Sequence, residues 1–144
     1  MASIKPSRKL PEPPELVQED PDALEEWKRM LASMAPAGLA KPLDRGLLAG
    51  CCLAYARWYR AEKALAMMAR KDPQTNGVII RTSNGNHIQN PLVGAANKAL
   101  MIYERIAMRF GVSPVGRAML DLSAVELMDE ATEDEEIARR FFGD

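Results

Sequence analysis

The feature that most constrains the fold is a long stretch of chain without helix-breaking residues. No glycine or proline occurs between Gly50 and Asp72, and Pro42 can occupy the first turn of a helix that runs into this stretch. Apolar residues recur there every three or four positions, as on the buried face of one helix. They are Leu47, Cys51, Ala54, Tyr55, Trp58, Ala61, Leu65 and Met68. We therefore predict a long helix that turns one stripe towards a core.

Pairs of a capping residue and a proline mark the starts of two further helices. Asp20-Pro21 predicts a first helix that ends near Ala35. Asn90-Pro91 predicts a third helix, and Gly111 closes it because glycine adopts the left-handed conformation without steric cost. We expect the third helix to pack antiparallel to the long one.

A short β-hairpin is predicted between the two long helices, within residues 77–89. Val78–Thr82 and His87–Gln89 have the composition of strands, and Ser83–Asn86 has that of a turn. A lone two-stranded hairpin is marginal in water, so it should lie against helices or a neighbouring subunit. The predicted fold class is therefore mainly α, with a long antiparallel helical hairpin as its core.

Composition divides the chain into three parts. Residues 1–20 are rich in proline and predicted to form a flexible, extended arm. Residues 21–120 are predicted to form the helical core and oligomerisation domain, and residues 121–144 an acidic tail. The body from 22 to 120 carries a charge of +7 and the tail −7, which indicates one polyanionic partner and one that tolerates acid. The alternative is a helical body with a solvating tail.

The residues needed for catalysis or metal binding do not come together in this sequence. Cys51 and Cys52 are helical neighbours that cannot share one tetrahedral metal, and we interpret them as reduced core residues. His87 is the single histidine, and no glycine-rich loop resembles a phosphate cradle. We expect no catalytic residue, no metal, no cofactor and no enzymatic activity.

The chain is not expected to meet a membrane. No apolar run approaches the roughly 20 residues that span a bilayer, and the N-terminus lacks the apolar centre of a signal peptide. Cytoplasmic localisation is the resulting expectation. Near the C-terminus, Thr132 and Glu135 have the spacing of a capping box, which predicts a short helix that displays Ile137, Phe141 and Phe142. This segment has the character of a docking peptide, and a poorly ordered tail is the alternative.

One window of 28 residues resembles the C-terminal signature of a known family. It contains Asn90-Pro91, Phe110-Gly111 and Ser113-Pro114 followed by Arg117. The upstream pattern agrees, with Trp27 on the first helix and a set on the second: Pro42, Asp44, Cys51, Tyr55, Trp58 and Ala61. Over about residues 22–120 the chain resembles the small terminase subunits of tailed double-stranded-DNA bacteriophages.

This resemblance implies a non-catalytic homo-oligomer that forms a ring, binds viral double-stranded DNA at the start of genome packaging and brings in the large terminase subunit. It would act in the host cell cytoplasm. Residues on the long helix that lie largely off its apolar stripe then become candidate DNA contacts: Arg57, Arg60, Lys63, Arg70 and Lys71. Lys5, Arg8 and Lys9 on the arm would add to them, and the tail residues Ile137, Phe141 and Phe142 would meet a protein partner. A solvated face is the alternative for the basic residues.

Three other functions remain open on the sequence alone. A structural virion or adaptor protein would use the basic face for protein contacts. A dimeric DNA-binding regulator would need a helix-turn-helix, which we do not find, and the long helix is too apolar to serve as its recognition helix. An enzyme would need a pocket assembled at subunit interfaces.

Arg117 either fixes the short helix that begins at Ser113-Pro114 or contacts DNA, and a structural role is favoured.

Overall fold

The computed structural model is mainly helical and describes residues 9–36, 38–121 and 139–140. The elements in chain order are α1 (Glu15–Gln18), α2 (Pro21–Met34), a 3-10 turn (Pro42–Asp44), α3 (Arg45–Lys71), β1 (Ile79–Arg81), β2 (His87–Gln89) and α4 (Pro91–Arg109). Residues 114–121 are also helical. The chain divides into two compact units, Met1–Ile106 and Ala107–Asp144. Among the described residues, no helix combines the length and apolar character that crossing a membrane requires.

The segment before α2 is partly helical, so the prediction of an extended arm over residues 1–20 is wrong for Glu15–Gln18. Val17 on this turn is fully buried, and the turn contacts α2. The guanidinium of Arg45 also donates a hydrogen bond to the carbonyl oxygen of Glu12, at 2.9 Å. One well-placed apolar side chain and this long-range bond hold the segment against the helices, and proline-rich composition alone does not reveal either contact.

Helix α2 begins as its sequence predicts. The Asp20 carboxylate accepts hydrogen bonds from the backbone N–H groups of Asp22 and Ala23, both at 3.2 Å, and Pro21 occupies the first helical position. These contacts satisfy donors that the first turn of a helix leaves without partners. Trp27 and Met30 lie on the buried face of α2 and pack in the core of the first unit.

Helix α3 is the central element of the first unit, and its burial is broader than the predicted single stripe. Leu47, predicted as buried, is half exposed, and Leu48 is fully buried in its place. Cys51, Cys52 and Ala56 are all buried although they lie on different sides of the helix. The N-terminal half of α3 is covered by both α2 and α4, so the buried surface extends around it.

Helices α3 and α4 are antiparallel, as predicted. Tyr55 and Tyr103 place their ring centroids 5.5 Å apart, and the Cys51 thiol lies 3.9 Å from the carbonyl oxygen of Tyr103. At the other end of the pair, the Asn90 side chain reaches the sulfur of Met68, at 3.2 Å. Residue numbers therefore rise along one helix as they fall along the other.

The β-hairpin between α3 and α4 also confirms its prediction. β1 and β2 are antiparallel, with Ile79 opposite Gln89, Ile80 opposite Ile88 and Arg81 opposite His87. Five of these six residues are exposed and Ile80 is half-buried. Of the two expected surroundings, helices or a neighbouring subunit, the described residues show the base of the hairpin against α3, at Gly77 and Asn90.

The second unit contains the turn that follows α4. Gly111 has a φ of +73°, and a Cβ there would lie 2.8 Å from the Leu120 side chain. The Ser113 hydroxyl accepts a hydrogen bond from the N–H of Gly116, at 2.9 Å, at the start of the helical residues 114–121. The glycine closure and the serine cap are the features that the sequence predicts.

Candidate nucleic-acid interface

The five basic residues predicted on α3 are all exposed, but their surroundings differ. Arg57 and Arg60 line a groove between α3 and α4. The ammonium of Lys63 lies 5.1 Å from the ring centre of Tyr59, a cation–π contact that leaves its charge at the surface. Arg70 and Lys71 are in the last turn of α3, where positive charge is favoured by the helix dipole.

Arg60 differs from the others because it is ion-paired across two helices. Its two terminal nitrogens donate to the two carboxylate oxygens of Asp20, both at 2.8 Å, and one of them reaches Asp22 at 3.3 Å. The hydrogen bonds from Arg60 hold the pKa of the Asp20 carboxyl below its usual range. The pair links the start of α2 to the middle of α3, so Arg60 stabilises the fold and its charge is largely compensated.

The groove between α3 and α4 has a volume of about 560 Å³ and combines an apolar floor with a basic rim. Arg57 and Arg60 contribute to the rim from α3, and Lys98 contributes from α4. The floor consists of Ala61, Leu92, Ala95, Ala99 and Ile102. A rim of this kind suits an anionic chain whose sugar carbons can rest on the floor while its phosphates meet the cations.

A second hollow continues this surface along α4. It has a volume of about 210 Å³ and is lined by Lys98, Met101, Ile102 and Arg105. Lys98 and Arg105 are seven residues apart, which places them on the same side of α4 about two turns from each other. Neither hollow is lined by an acidic side chain among the described residues. We call Arg57, Lys98 and Arg105 the cationic face.

Sequence reasoning missed Lys98 and Arg105, although a signal was present. Their spacing of seven residues is that of one helical face, and the predicted third helix contained both. Arg57 lies near them because α3 and α4 pack antiparallel. The cationic face is therefore a tertiary feature made from two helices, whereas the predicted basic set came from α3 and the arm.

A different surface of the first unit is acidic and structural. A hollow of about 120 Å³ is lined by Asp22, Glu25, Glu26, Arg29, Tyr55 and Tyr59. The Glu26 carboxylate is 2% exposed, and it accepts hydrogen bonds from the Tyr103 hydroxyl at 2.9 Å and from Nε of Arg29 at 2.7 Å. Burial, followed by the bond to Glu26, raises the pKa of Tyr103. These contacts join α2 to α4 and pair a buried charge.

The cysteines occupy the core as predicted. Cys51 and Cys52 are free and buried, and burial raises the pKa of each thiol to about 12. A thiol with such a pKa is almost wholly protonated at neutral pH and a poor nucleophile. Within residues 9–36, 38–121 and 139–140, no three histidine, cysteine or acidic side chains group as a metal site would need.

Some predicted site residues lie outside the described part of the chain. They are Lys5, Arg8, Ile137, Phe141 and Phe142. Lys9 is described and exposed.

Arg117 donates hydrogen bonds to the carbonyl oxygens of Gly111 and Val112, both at 3.2 Å, and so stabilises the turn after α4. This contact agrees with the structural role favoured for Arg117.

Comparison with known proteins gives one match that covers most of the chain. Residues 23–126 match the family described as "Phage terminase, small subunit". No curated protein and no solved structure matches significantly. The matched range includes most of α2 and all of α3, the hairpin and α4, and α3 and α4 carry the groove and the cationic face. The chain belongs to the phage terminase small subunit family, whose role is in phage genome packaging.

Proposed function

We propose that this protein recognises viral double-stranded DNA to initiate genome packaging and recruits the large terminase subunit, without itself catalysing a reaction. The observation that carries the proposal is the cationic face, in which Arg57 and Lys98 border the apolar groove and Arg105 lines the hollow that continues it. Among the described residues, no acidic side chain lines either hollow. Lysine and arginine that neutralise phosphates release counterions, and this release supplies most of the affinity of a protein for duplex DNA.

The spacing of the cationic face suits a DNA backbone. Lys98 and Arg105 are separated by about 10 Å along α4, close to the rise of about three base pairs. Arg57 adds a cation across the groove from Lys98. Arg60 lies beside Arg57, but its pairing with Asp20 makes it a weaker contact. In this arrangement α4 follows a phosphate strand and α3 supplies the second wall.

The remaining predicted contacts extend this surface. Lys63, Arg70 and Lys71 are exposed farther along α3, towards the hairpin. Lys5, Arg8 and Lys9 belong to the N-terminal segment, which we propose adds further phosphate contacts. These residues are expected to contribute to affinity on any DNA sequence, because phosphates are the same at every position.

We further propose that the protein is a homo-oligomer in the form of a ring. Large apolar side chains are exposed on the first unit, among them Leu43 at 95%, Leu47, Met67, Leu100 and Met101. Contacts between copies would remove such side chains from water. Light scattering of the purified protein should give a mass of many subunits at high salt. A monomer at micromolar concentration would contradict the ring.

For the large subunit, we propose that the acidic tail is the docking segment. Residues 121–144 carry a charge of −7 and the apolar residues Ile137, Phe141 and Phe142. A variant with Phe141→Ser and Phe142→Ser should lose binding to the large subunit and keep its affinity for DNA. Unchanged binding to the large subunit would contradict the assignment.

The DNA assignment is tested by neutralising the cationic face. In fluorescence anisotropy with duplex DNA from the packaging start, Lys98→Gln and Arg105→Gln should each weaken binding. Each should also lower the slope of log affinity against log salt by about 0.9 for every phosphate that the variant no longer neutralises. Lys28→Gln is the matched control, since it removes one positive charge from an exposed position on α2 outside both hollows.

The outcomes separate the proposed function from its main alternative. Loss of affinity in both α4 variants, with Lys28→Gln unchanged, supports the cationic face as the DNA surface. If all three variants keep the affinity and the salt slope of the wild type, this face does not bind DNA. An adaptor protein that uses the face for protein contacts would then be the better interpretation.

A further inference from the structure

The β-hairpin turns a face with three polar residues out of four, and a polar tip, towards solvent. The strand register puts Ile79, Arg81, His87 and Gln89 on one side of the ribbon, and all four are exposed. Ile80 and Ile88 lie on the other side. Among the described residues, the side chains of Arg81, His87 and Gln89 make no hydrogen bond or ion pair, so their polar groups are available to a partner.

The tip of the hairpin is a tight and well-bonded turn. The N–H of Thr82 donates to the carbonyl oxygen of Asn86 at 2.8 Å, and the N–H of Gly85 donates back to the carbonyl oxygen of Thr82 at 2.9 Å. Gly85 has a φ of +83°, which favours glycine. Asn84 and Asn86 are exposed at this turn. The Arg81 side chain extends towards it, since a Cβ on Gly85 would lie 3.5 Å from an Arg81 nitrogen.

The base of the hairpin is fixed to the helices. The buried Asn90 side chain donates to the carbonyl oxygen of Gly77 at 2.8 Å and accepts from the N–H of Leu92 at 3.0 Å. Gly77 itself packs against α3, where a Cβ would lie 2.9 Å from the Cβ of Met68. The ribbon therefore projects from a rigid junction between the end of α3 and the start of α4.

The surroundings of the hairpin favour a polyanion. From residue 73 to residue 103 the sequence contains no aspartate or glutamate. Arg70 and Lys71, both exposed, lie in the last turn of α3 beside the base of the ribbon. The carboxylate of Asp72 is turned to the backbone and hydroxyl of Thr75. The exposed amide, guanidinium and imidazole groups of the hairpin are thus flanked by the positive charges of Arg70 and Lys71.

We propose that this hairpin enters the major groove of duplex DNA and reads base edges, an inference that rests on the proposed function. The major groove accommodates a two-stranded ribbon, arginine pairs with guanine, and asparagine or glutamine pairs with adenine. Arg81, Gln89 and Asn84 are the base-reading residues, and Arg70 and Lys71 bind the adjacent phosphates. The hairpin thereby supplies the sequence recognition that the proposed function requires.

The test separates recognition of sequence from attraction to phosphate. The full-length protein selects preferred duplexes from a randomised pool, and anisotropy then compares a selected duplex with a scrambled one. Arg81→Ala should weaken binding to the selected duplex by about 5- to 150-fold, the effect of one bidentate base contact. It should change binding to the scrambled duplex far less. Gln89→Ala should act in the same direction. Arg81 is exposed, so circular dichroism should show an unchanged fold.

Lys71→Gln is the control for a phosphate contact. It should weaken binding to both duplexes by the same factor and lower the salt slope of each. If Arg81→Ala and Gln89→Ala leave discrimination between the duplexes unchanged, or if the wild type selects no sequence, base reading by the hairpin is overturned. A fall in oligomer mass with discrimination intact would overturn it too and make the hairpin a subunit contact. Absence of any DNA binding would overturn the proposed function itself.

Discussion

Replacing Arg60 and Arg57 one at a time should separate a residue that holds the fold from one that binds DNA. Both are exposed arginines on α3, three residues apart. Arg60→Gln removes two bonds of 2.8 Å to Asp20 and one of 3.3 Å to Asp22. Arg57 has no such pairing among the described residues. We expect Arg60→Gln to lower stability and Arg57→Gln to lower DNA affinity.

The magnitude follows from the geometry of the pair. Exposed ion pairs contribute about 0.2–1 kcal/mol, and a bidentate arginine lies at the upper end of that range. The Arg60 side chain is 49% exposed and that of Asp20 16%, so solvent screens the pair only in part. Arg60→Gln should therefore cost about 1 kcal/mol, or about 2–4 °C in Tm for a chain of this size. Arg57→Gln should cost less than about 0.5 kcal/mol.

Thermal unfolding of both variants, with anisotropy on the same samples, makes the comparison. Asp20→Asn provides a background that keeps a helix cap and removes the charge. In the Asp20→Asn background, Arg60→Gln should lower Tm much less than it does in the wild type. Unchanged Tm in Arg60→Gln, or a larger loss of Tm in Arg57→Gln, would refute the reasoning.

The ion pair of Arg60 with Asp20 should also make the stability of the protein depend on pH in the acidic range. The pKa of Asp20 in the folded chain is held below its usual value of 3.8, chiefly by its hydrogen bonds with Arg60. The unfolded chain therefore takes up this proton first as pH falls. The contribution of the pair is fully present above pH 3.8 and is lost as pH falls through the lower folded pKa. The stability difference between wild type and Arg60→Gln should shrink below pH 3.8.

Three further predictions concern the core. Tyr103→Phe removes a hydrogen-bond donor from the buried carboxylate of Glu26 and should cost about 1–3 kcal/mol in urea unfolding, whereas no loss would contradict that contact. Gly77→Ala places a Cβ against α3 at a φ of +70° and should cost about 1–3 kcal/mol of backbone strain, which an unchanged Tm would contradict. Iodoacetamide at pH 8 should label Cys51 and Cys52 much more slowly in the native protein than in urea, because burial raises both pKa values to about 12, and equal rates would contradict their burial.

The elements whose ends are set by local chemistry were predictable from the sequence. Asp20-Pro21 and Asn90-Pro91 start helices because the capping side chain and the proline act within one turn. The hairpin follows from its turn residues, and its register agrees with residues 77–89. Each of these features depends on residues a few positions apart, so a single sequence is sufficient to recognise them.

Features that depend on distant residues were not predictable in the same way. Helical periodicity predicted one buried stripe with Leu47 in it, but α3 lies between two helices and buries Leu48. The helical turn at Glu15–Gln18 depends on a buried site for Val17 that other helices provide. No local pattern encodes the pairing of Arg60 with Asp20, forty positions away.

The candidate site shows the same division. Arg57 was predicted as a basic position on α3, whereas its neighbours Lys98 and Arg105 belong to α4 and meet it through the antiparallel contact. The predicted set of basic residues therefore contained part of the cationic face and one residue, Arg60, that is engaged within the fold.

The most direct test of the cationic face is a map of lysine reactivity with and without DNA. The wild-type protein would be acetylated at low salt in the presence and absence of duplex DNA, and the rate at each lysine read by mass spectrometry. We expect DNA to protect Lys98 and Lys71 and to leave Lys28 on α2 as reactive as before. Equal acetylation of Lys98 with and without bound DNA would contradict its place in the interface.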